Sequence, residues 1–194
     1  MMTPPRRRQP EATRAQIIGA AMRTLQESGA GGFTLDAVVA RLPVSKGALL
    51  HHFPSKAELL RALVDEAGER FVGSVEALAA RDPHPVGRYS RAYLAATVQL
   101  TMSEDEVRTS KVVLVACLLE PELADRWRWW TDQITRDEPN DAVGADDALL
   151  QRLVADGLWL SDVFGTKAVP MEQRRVVGAL MGASPLLQDE ATAP

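Results

Sequence analysis

Apolar residues recur along this chain at helical spacing almost throughout, and no run sustains the period of two that a β-strand would show. After Glu11, residues Ile17, Ala21 and Leu25 fall at i, i+4 and i+8 with Ile18 and Met22 beside them, which predicts a first helix stopped near Gly29. Gly29, Gly31 and Gly32 predict a loop, and Thr34 offers an N-cap hydroxyl for a short second helix. That helix should run to Arg41, because Pro43 disfavours helical geometry at Leu42. Ser45 is the next N-cap, opening a third helix through Leu49 and His52. Pro54 interrupts it, and Ser55-Lys56-Ala57-Glu58 has the capping-box spacing that starts a long fourth helix. Val38, Val39, Leu42, Val44, Leu49 and Phe53 supply the apolar positions that lock the second and third helices together and onto the first.

Beyond residue 60 the helical pattern continues, with breaks at Asp82-Pro83-His84-Pro85, around Ser103, at Glu120-Pro121, at Pro139-Asn140 and at Gly165 to Pro170. Asp146 to Phe164 places Leu149, Leu150, Leu153, Val154, Gly157, Leu158, Ser161 and Phe164 on one broad face. Met171 to Ala183 supplies a further helix with Val176, Val177, Leu180 and Met181. The fold class expected is therefore all-α. Residues 11–58 form a three-helix helix-turn-helix domain, preceded by a flexible basic arm (1–10) and followed by a helical domain (59–185) and a loose tail (186–194).

Charge changes this picture. The net value of −4 argues weakly against a polyanionic partner, but residues 1 to 60 hold eight Lys or Arg against four acids, a balance of +4 that leaves −8 for the rest. Part of the excess is Arg6-Arg7-Arg8, in a proline-containing arm with too little apolar surface to fold. A basic head on an acidic body suits a protein one end of which meets phosphates. In the third helix, Lys46, Gly47, Ala48, His51 and His52 are left facing outward or flanking the interface, and the small side chains of Gly47 and Ala48 let a backbone approach DNA closely.

Other chemistry is thin. A Gly-rich phosphate loop, clustered metal ligands and a supported Ser-His-acid set are all missing, so neither an enzyme nor a cofactor site is expected. The adjacent His51 and His52 would point about 100° apart on a helix, a poor arrangement for sharing a metal. Cys117, in the apolar run Val112 to Leu119, has no cysteine to pair with and reads as a small buried hydrophobe. With no apolar stretch of membrane-spanning length and no signal-peptide pattern, a cytoplasmic protein without a membrane partner is expected.

Thr13-Arg14, Ile17, Ala20-Ala21, Gly29, Thr34, Val44-Ser45-Lys46-Gly47-Ala48-Leu49, His52-Phe53 and Lys56 together resemble the DNA-binding domain of the TetR family of transcriptional regulators. The resemblance covers roughly residues 11 to 60. It implies that Thr34 and Ser45 cap their helices near phosphates, that Lys46, Gly47 and Ala48 sit at the groove, and that His52 and Lys56 reach the backbone. Leu50 stands where the family usually has a Tyr, leaving an apolar contact without a hydroxyl. Leu42-Pro43 replaces the usual Ala-Gly of the turn, and proline cannot adopt a glycine's positive φ, so the turn must be built differently.

The resemblance further implies a homodimer on palindromic operator DNA, with repression released by a small molecule. Residues 146–183 fit the dimer interface, with Leu150, Leu153, Gly157, Phe164, Val177 and Leu180 as candidates. For a hydrophobic or cationic aromatic effector the candidate pocket residues are Tyr89, Tyr93, Trp127 and Trp130, whose rings can clasp a flat cation or pack as ordinary core. The alternative is a helical DNA-binding scaffold or architectural protein that responds to no small molecule.

Overall fold

The structure, a computed structural model, describes residues 8–100, 103–135, 145–166, 169–183 and 186–187. Among these residues it has nine α-helices and no strand: α1 (Arg8–Gly32), α2 (Leu35–Val39), α3 (Lys46–His52), α4 (Lys56–Arg81), α5 (Arg88–Leu100), α6 (Glu104–Leu119), α7 (Glu122–Thr135), α8 (Ala145–Phe164) and α9 (Met171–Leu180). Most of the expected breaks fall where the prolines and glycines lie, and that at Pro139-Asn140 is outside the described residues. α1 begins at Arg8, ahead of the expected Glu11. Pro10 permits this because its missing N–H falls in the first turn, where amides have no intrahelical acceptor. At Gly29 the helical geometry breaks with φ 63°, a left-handed value that glycine adopts without penalty. The rest of the basic arm, residues 1–7, lies outside the described residues.

The chain divides into two compact units. The first takes the residues up to Ala67 together with Lys111–Trp127. Its core gathers Ile17, Ala21 and Leu25 from α1, Phe33, Val38 of α2, Leu49 of α3 and Leu59, Leu60 and Leu63 from α4. Val112 and Ala116 of α6 and Leu123 of α7 join the same cluster, and Trp127 packs against it. The helix-turn-helix thus buries its apolar surface with help from a segment some fifty residues further along, which local pattern could not reveal. Asp65 of α4 and Arg126 of α7 form an ion pair (2.5 Å) within this unit.

The second unit comprises Gly68–Ser110 and the residues from Arg128 onward. α5 packs against α8 and α9 and is buried on every side from Ala92 to Val98, which its alanines permit by letting neighbours approach. Arg174 of α9 is buried and grips Asp162 of α8 with both terminal nitrogens, while its Nε donates to the Val169 carbonyl (2.7 Å). That bidentate clip ties α9 to the end of α8. Leu186, expected in a loose tail, is instead buried, and its carbonyl accepts from Gln99 Nε2. Apolar area outweighs the disordering tendency of a chain end at this position.

Candidate functional site

The helix-turn-helix is assembled from local signals. Thr34, in an extended conformation, accepts the Ala37 amide at its hydroxyl (3.1 Å), and Ser45 accepts the Ala48 amide in the same way (3.1 Å). Ser55 repeats the device at the start of α4, accepting from Glu58 N (3.1 Å). Between α2 and α3 the chain reverses through successive i→i+3 and i→i+4 bonds: Ala40 N to Asp36 O, Arg41 N to Val38 O and Leu42 N to Val39 O. No residue of this turn has positive φ, so Pro43 is accommodated and a glycine is unnecessary.

Leu49 points into the core and is fully buried, which turns the other side of α3 outward. Lys46, Gly47, Leu50 and His51 are exposed there, with Ala48 and His52 half-buried. A side chain at Gly47 would meet the protein only at ordinary contact distance, so the free space over this glycine opens outward. Leu50 is 37% exposed, an apolar group held on the outer face. The rings of His51 and His52 meet edge to face at 5.6 Å.

Two of the cations expected to face DNA already have partners. Lys46 Nζ lies 2.7 Å from Asp36 Oδ1 and 3.0 Å from Oδ2, an ion pair with both side chains exposed. Lys56 is half-buried, with its ammonium 5.4 Å from the centre of the Phe33 ring. Arg14, part of the family-like pattern but not among the expected DNA contacts, places its guanidinium 5.3 Å from the centre of the Phe53 ring, beside the end of α3. An exposed arginine three residues before the first core position of α1 was the available signal.

The pocket candidates divide. Trp127 belongs to the first unit and packs on its core, whereas Tyr89, Tyr93 and Trp130 belong to the second. Tyr93 is buried, meets Phe71 edge to face at 5.2 Å and donates its hydroxyl to Asp156 (2.7 Å). Burial, reinforced by the neighbouring carboxylate, pushes the phenol well above its ordinary range, so it remains a donor. The Arg152 guanidinium lies 4.8 Å from the centre of the same ring and donates to the Thr131 carbonyl. Trp130 lies against Gly68 of α4 so closely that a Cβ there would fall within the indole. A glycine inside an apolar helix was a readable sign of such an approach.

On α8 and α9 the dimer candidates are mostly uncovered. Leu150, Leu153 (60% exposed) and Phe164 (64%) follow one another along α8 with Leu160, and Gly157 sits among them with open space over it. Leu180 of α9 is 75% exposed. Val177 departs from expectation, being half-buried, while Val176 is exposed beside Leu180. α8 is apolar on two sides: Ala155 and Leu158 are buried, leaving the second apolar stripe to the outside.

Residues 17–63 match the family described as bacterial regulatory proteins, tetR family, and residues 87–185 match the tetracyclin repressor-like C-terminal domain. The chain belongs to the TetR family. Among curated TetR-like relatives, the HTH-type transcriptional regulator CymR of Pseudomonas putida is 45% identical over 64 residues, 31% of this chain and 32% of CymR. The HTH-type transcriptional regulator TtgR, also of Pseudomonas putida, is 31% identical over 108 residues, 55% of this chain and 51% of TtgR. The chain thus matches between a third and a half of these relatives' length. Two solved structures share the TetR fold. The multidrug binding protein EbrR complexed with ethidium has a TM-score of 0.62 at 24% identity, over 92% of this chain and 99% of that one. A transcriptional regulator from Rhodococcus sp. Rha1 has a TM-score of 0.67 at 20% identity, over 88% and 94%.

Proposed function

We infer that this TetR-family chain is a cytoplasmic, homodimeric transcriptional repressor that binds palindromic operator DNA and leaves it when a small molecule binds. The observation that carries the reading is the outward side of α3, where Lys46, Gly47, Ala48, Leu50 and His51 follow a capped turn while Leu49 anchors the helix from behind. Such a face can enter a major groove, with the lysine meeting base edges or phosphate and Leu50 a thymine methyl. Thr34, Ser45, His52 and Lys56 flank it and complete the DNA-facing set.

The exposed stripe of Leu150, Leu153, Gly157, Phe164 and Leu180, with Val176 in place of Val177, is the surface a second copy would cover. Pairing sets two copies of α3 about 34 to 36 Å apart, one turn of DNA, and accounts for the palindrome. For the effector, a hydrophobic or cationic aromatic compound is proposed. Support comes from the aromatic Tyr93 and Trp130 in the second unit, and from the EbrR structures complexed with ethidium, malachite green and proflavin, all aromatic cations. Binding, rather than turnover, is the activity proposed.

The test is a binding assay on duplexes enriched by the protein from a randomised pool, repeated with malachite green, ethidium or proflavin only where thermal shift without DNA shows that the protein itself binds the dye, and with an unrelated DNA-binding protein as control for intercalation. The expected result is a palindromic consensus, affinity that falls steeply with salt, and release by at least one dye in thermal-shift and gel-shift measurements. Equal affinity for enriched and random duplexes at physiological salt would overturn operator recognition. Stable operator binding indifferent to such compounds would leave an architectural role.

A further inference from the structure

We propose that Asp36 is a self-inhibitory residue of the DNA-facing surface: it holds Lys46 by charge when DNA is absent, and any duplex that engages Lys46 must displace it. This rests on the reading of α3 as the recognition helix. The geometry that motivates it is the contact of Lys46 Nζ with both carboxylate oxygens, at 2.7 and 3.0 Å, across the turn from α2 to α3. Both side chains are more than half exposed, so the pair contributes little to folding and its partners can exchange.

A carboxylate on a surface that meets a polyanion has a cost that a purely structural group would avoid. It repels nearby phosphates, and while paired it removes one positive charge from the interface. On random DNA the ammonium has only diffuse, screened phosphate attraction to gain, and the intact pair competes with it. Where the groove presents guanine O6 and N7 to Lys46, the hydrogen bonds lost to Asp36 are replaced by directed ones. Breaking the pair weakens any complex that engages Lys46, so Asp36 lowers affinity for operator and random duplexes alike. Arg41 shows the same pattern beside it, its NH2 lying 2.7 Å from Glu27. Two of the basic residues in this domain are thus neutralised in the free protein, which fits a surface built to limit general affinity for DNA.

The experiment compares wild type, Asp36→Asn, Lys46→Gln and the double variant on two probes: the duplex that wild type enriches best and the unselected random pool. Asp36→Asn is expected to raise affinity for both probes about two- to fivefold and to steepen the salt dependence by about one unit of log–log slope. In the Lys46→Gln background the same substitution is expected to lose most of that gain. Circular dichroism and melting of each variant show that the fold is kept. Unchanged affinity for both probes in Asp36→Asn, or a full gain persisting without Lys46, would overturn the proposal while leaving recognition by α3 intact. Failure of wild type to enrich any sequence would instead sink the underlying reading, and this proposal with it.

Discussion

Single residues carry most of what was legible near the proposed DNA-facing surface. Thr34, Ser45 and Ser55 could be placed as caps because a hydroxyl acts on an amide three residues away and needs nothing remote. Asp36 as partner of Lys46, Phe33 beneath Lys56 and Asp156 at Tyr93 could not, since those contacts exist only once helices pack. Asp82 is of the second kind and has a pH consequence. Its side chain is 1% exposed at the end of α4; burial pushes its pKa up, but the hydrogen bond from Arg91 Nε (2.8 Å) and the backbone amide of His84 (2.8 Å) more than offset this, holding it below the ordinary value. A depressed folded-state pKa means that unfolded chains take up the proton first. The stabilisation is thus full above the unfolded pKa of about 3.9 and is lost as pH falls through the lower folded one. Asp82→Asn should cost about 1 to 3 kcal/mol at neutral pH by stranding Arg91. The deficit should shrink in urea unfolding below about pH 3.9, and a deficit constant down to pH 2 or so would contradict the assignment.

Among the elements, helix type and order followed from apolar spacing, yet what each helix buries did not. The face proposed on α8 was readable because Leu150, Leu153 and Phe164 recur with helical period, but the same pattern includes Leu158, which is buried within the chain. Period alone cannot rank two apolar sides of one helix. On α9 the neighbours Val176 and Val177 exchange roles, because a helix of ten residues gives a phase too loose to separate adjacent positions. The proposed pocket residues were least legible: Trp127 and Trp130 share a helical face by spacing, and α7 carries them into different units. A charge placed on the outer stripe tests the dimer. Leu180→Glu, at a position 75% exposed, should leave the melting of the isolated protomer within about 0.5 kcal/mol. It should shift sedimentation from dimer to monomer at micromolar concentration and abolish binding to the full palindrome. Gly157→Leu serves as a second probe of close helix approach, and dimers unaffected by both would exclude this face.

At the scale of the whole chain, the electrostatic division that first suggested a nucleic-acid partner takes a different form once the side chains are placed. Residues 9 to 60 contain five Lys or Arg (Arg14, Arg23, Arg41, Lys46 and Lys56) against four acids, so three of the four excess positive charges of the first sixty residues reside in Arg6, Arg7 and Arg8. Arg41 and Lys46 are further paired with Glu27 and Asp36. On the proposed reading, the surface of α3 supplies shape, a glycine-opened approach and one exchangeable cation, and the general attraction to phosphate is expected from the three arginines ahead of it. Their replacement by glutamine should lower affinity for operator and random duplexes by a similar factor. If each arginine meets one phosphate, the dependence of log affinity on log salt should weaken by about three units per protomer bound. Sequence preference, set at α3, should be retained. Fluorescence anisotropy titrations at several salt concentrations measure both quantities at once. An unchanged slope would show that the arm makes no phosphate contacts, and loss of preference at constant slope would place base reading in the arm instead of in α3.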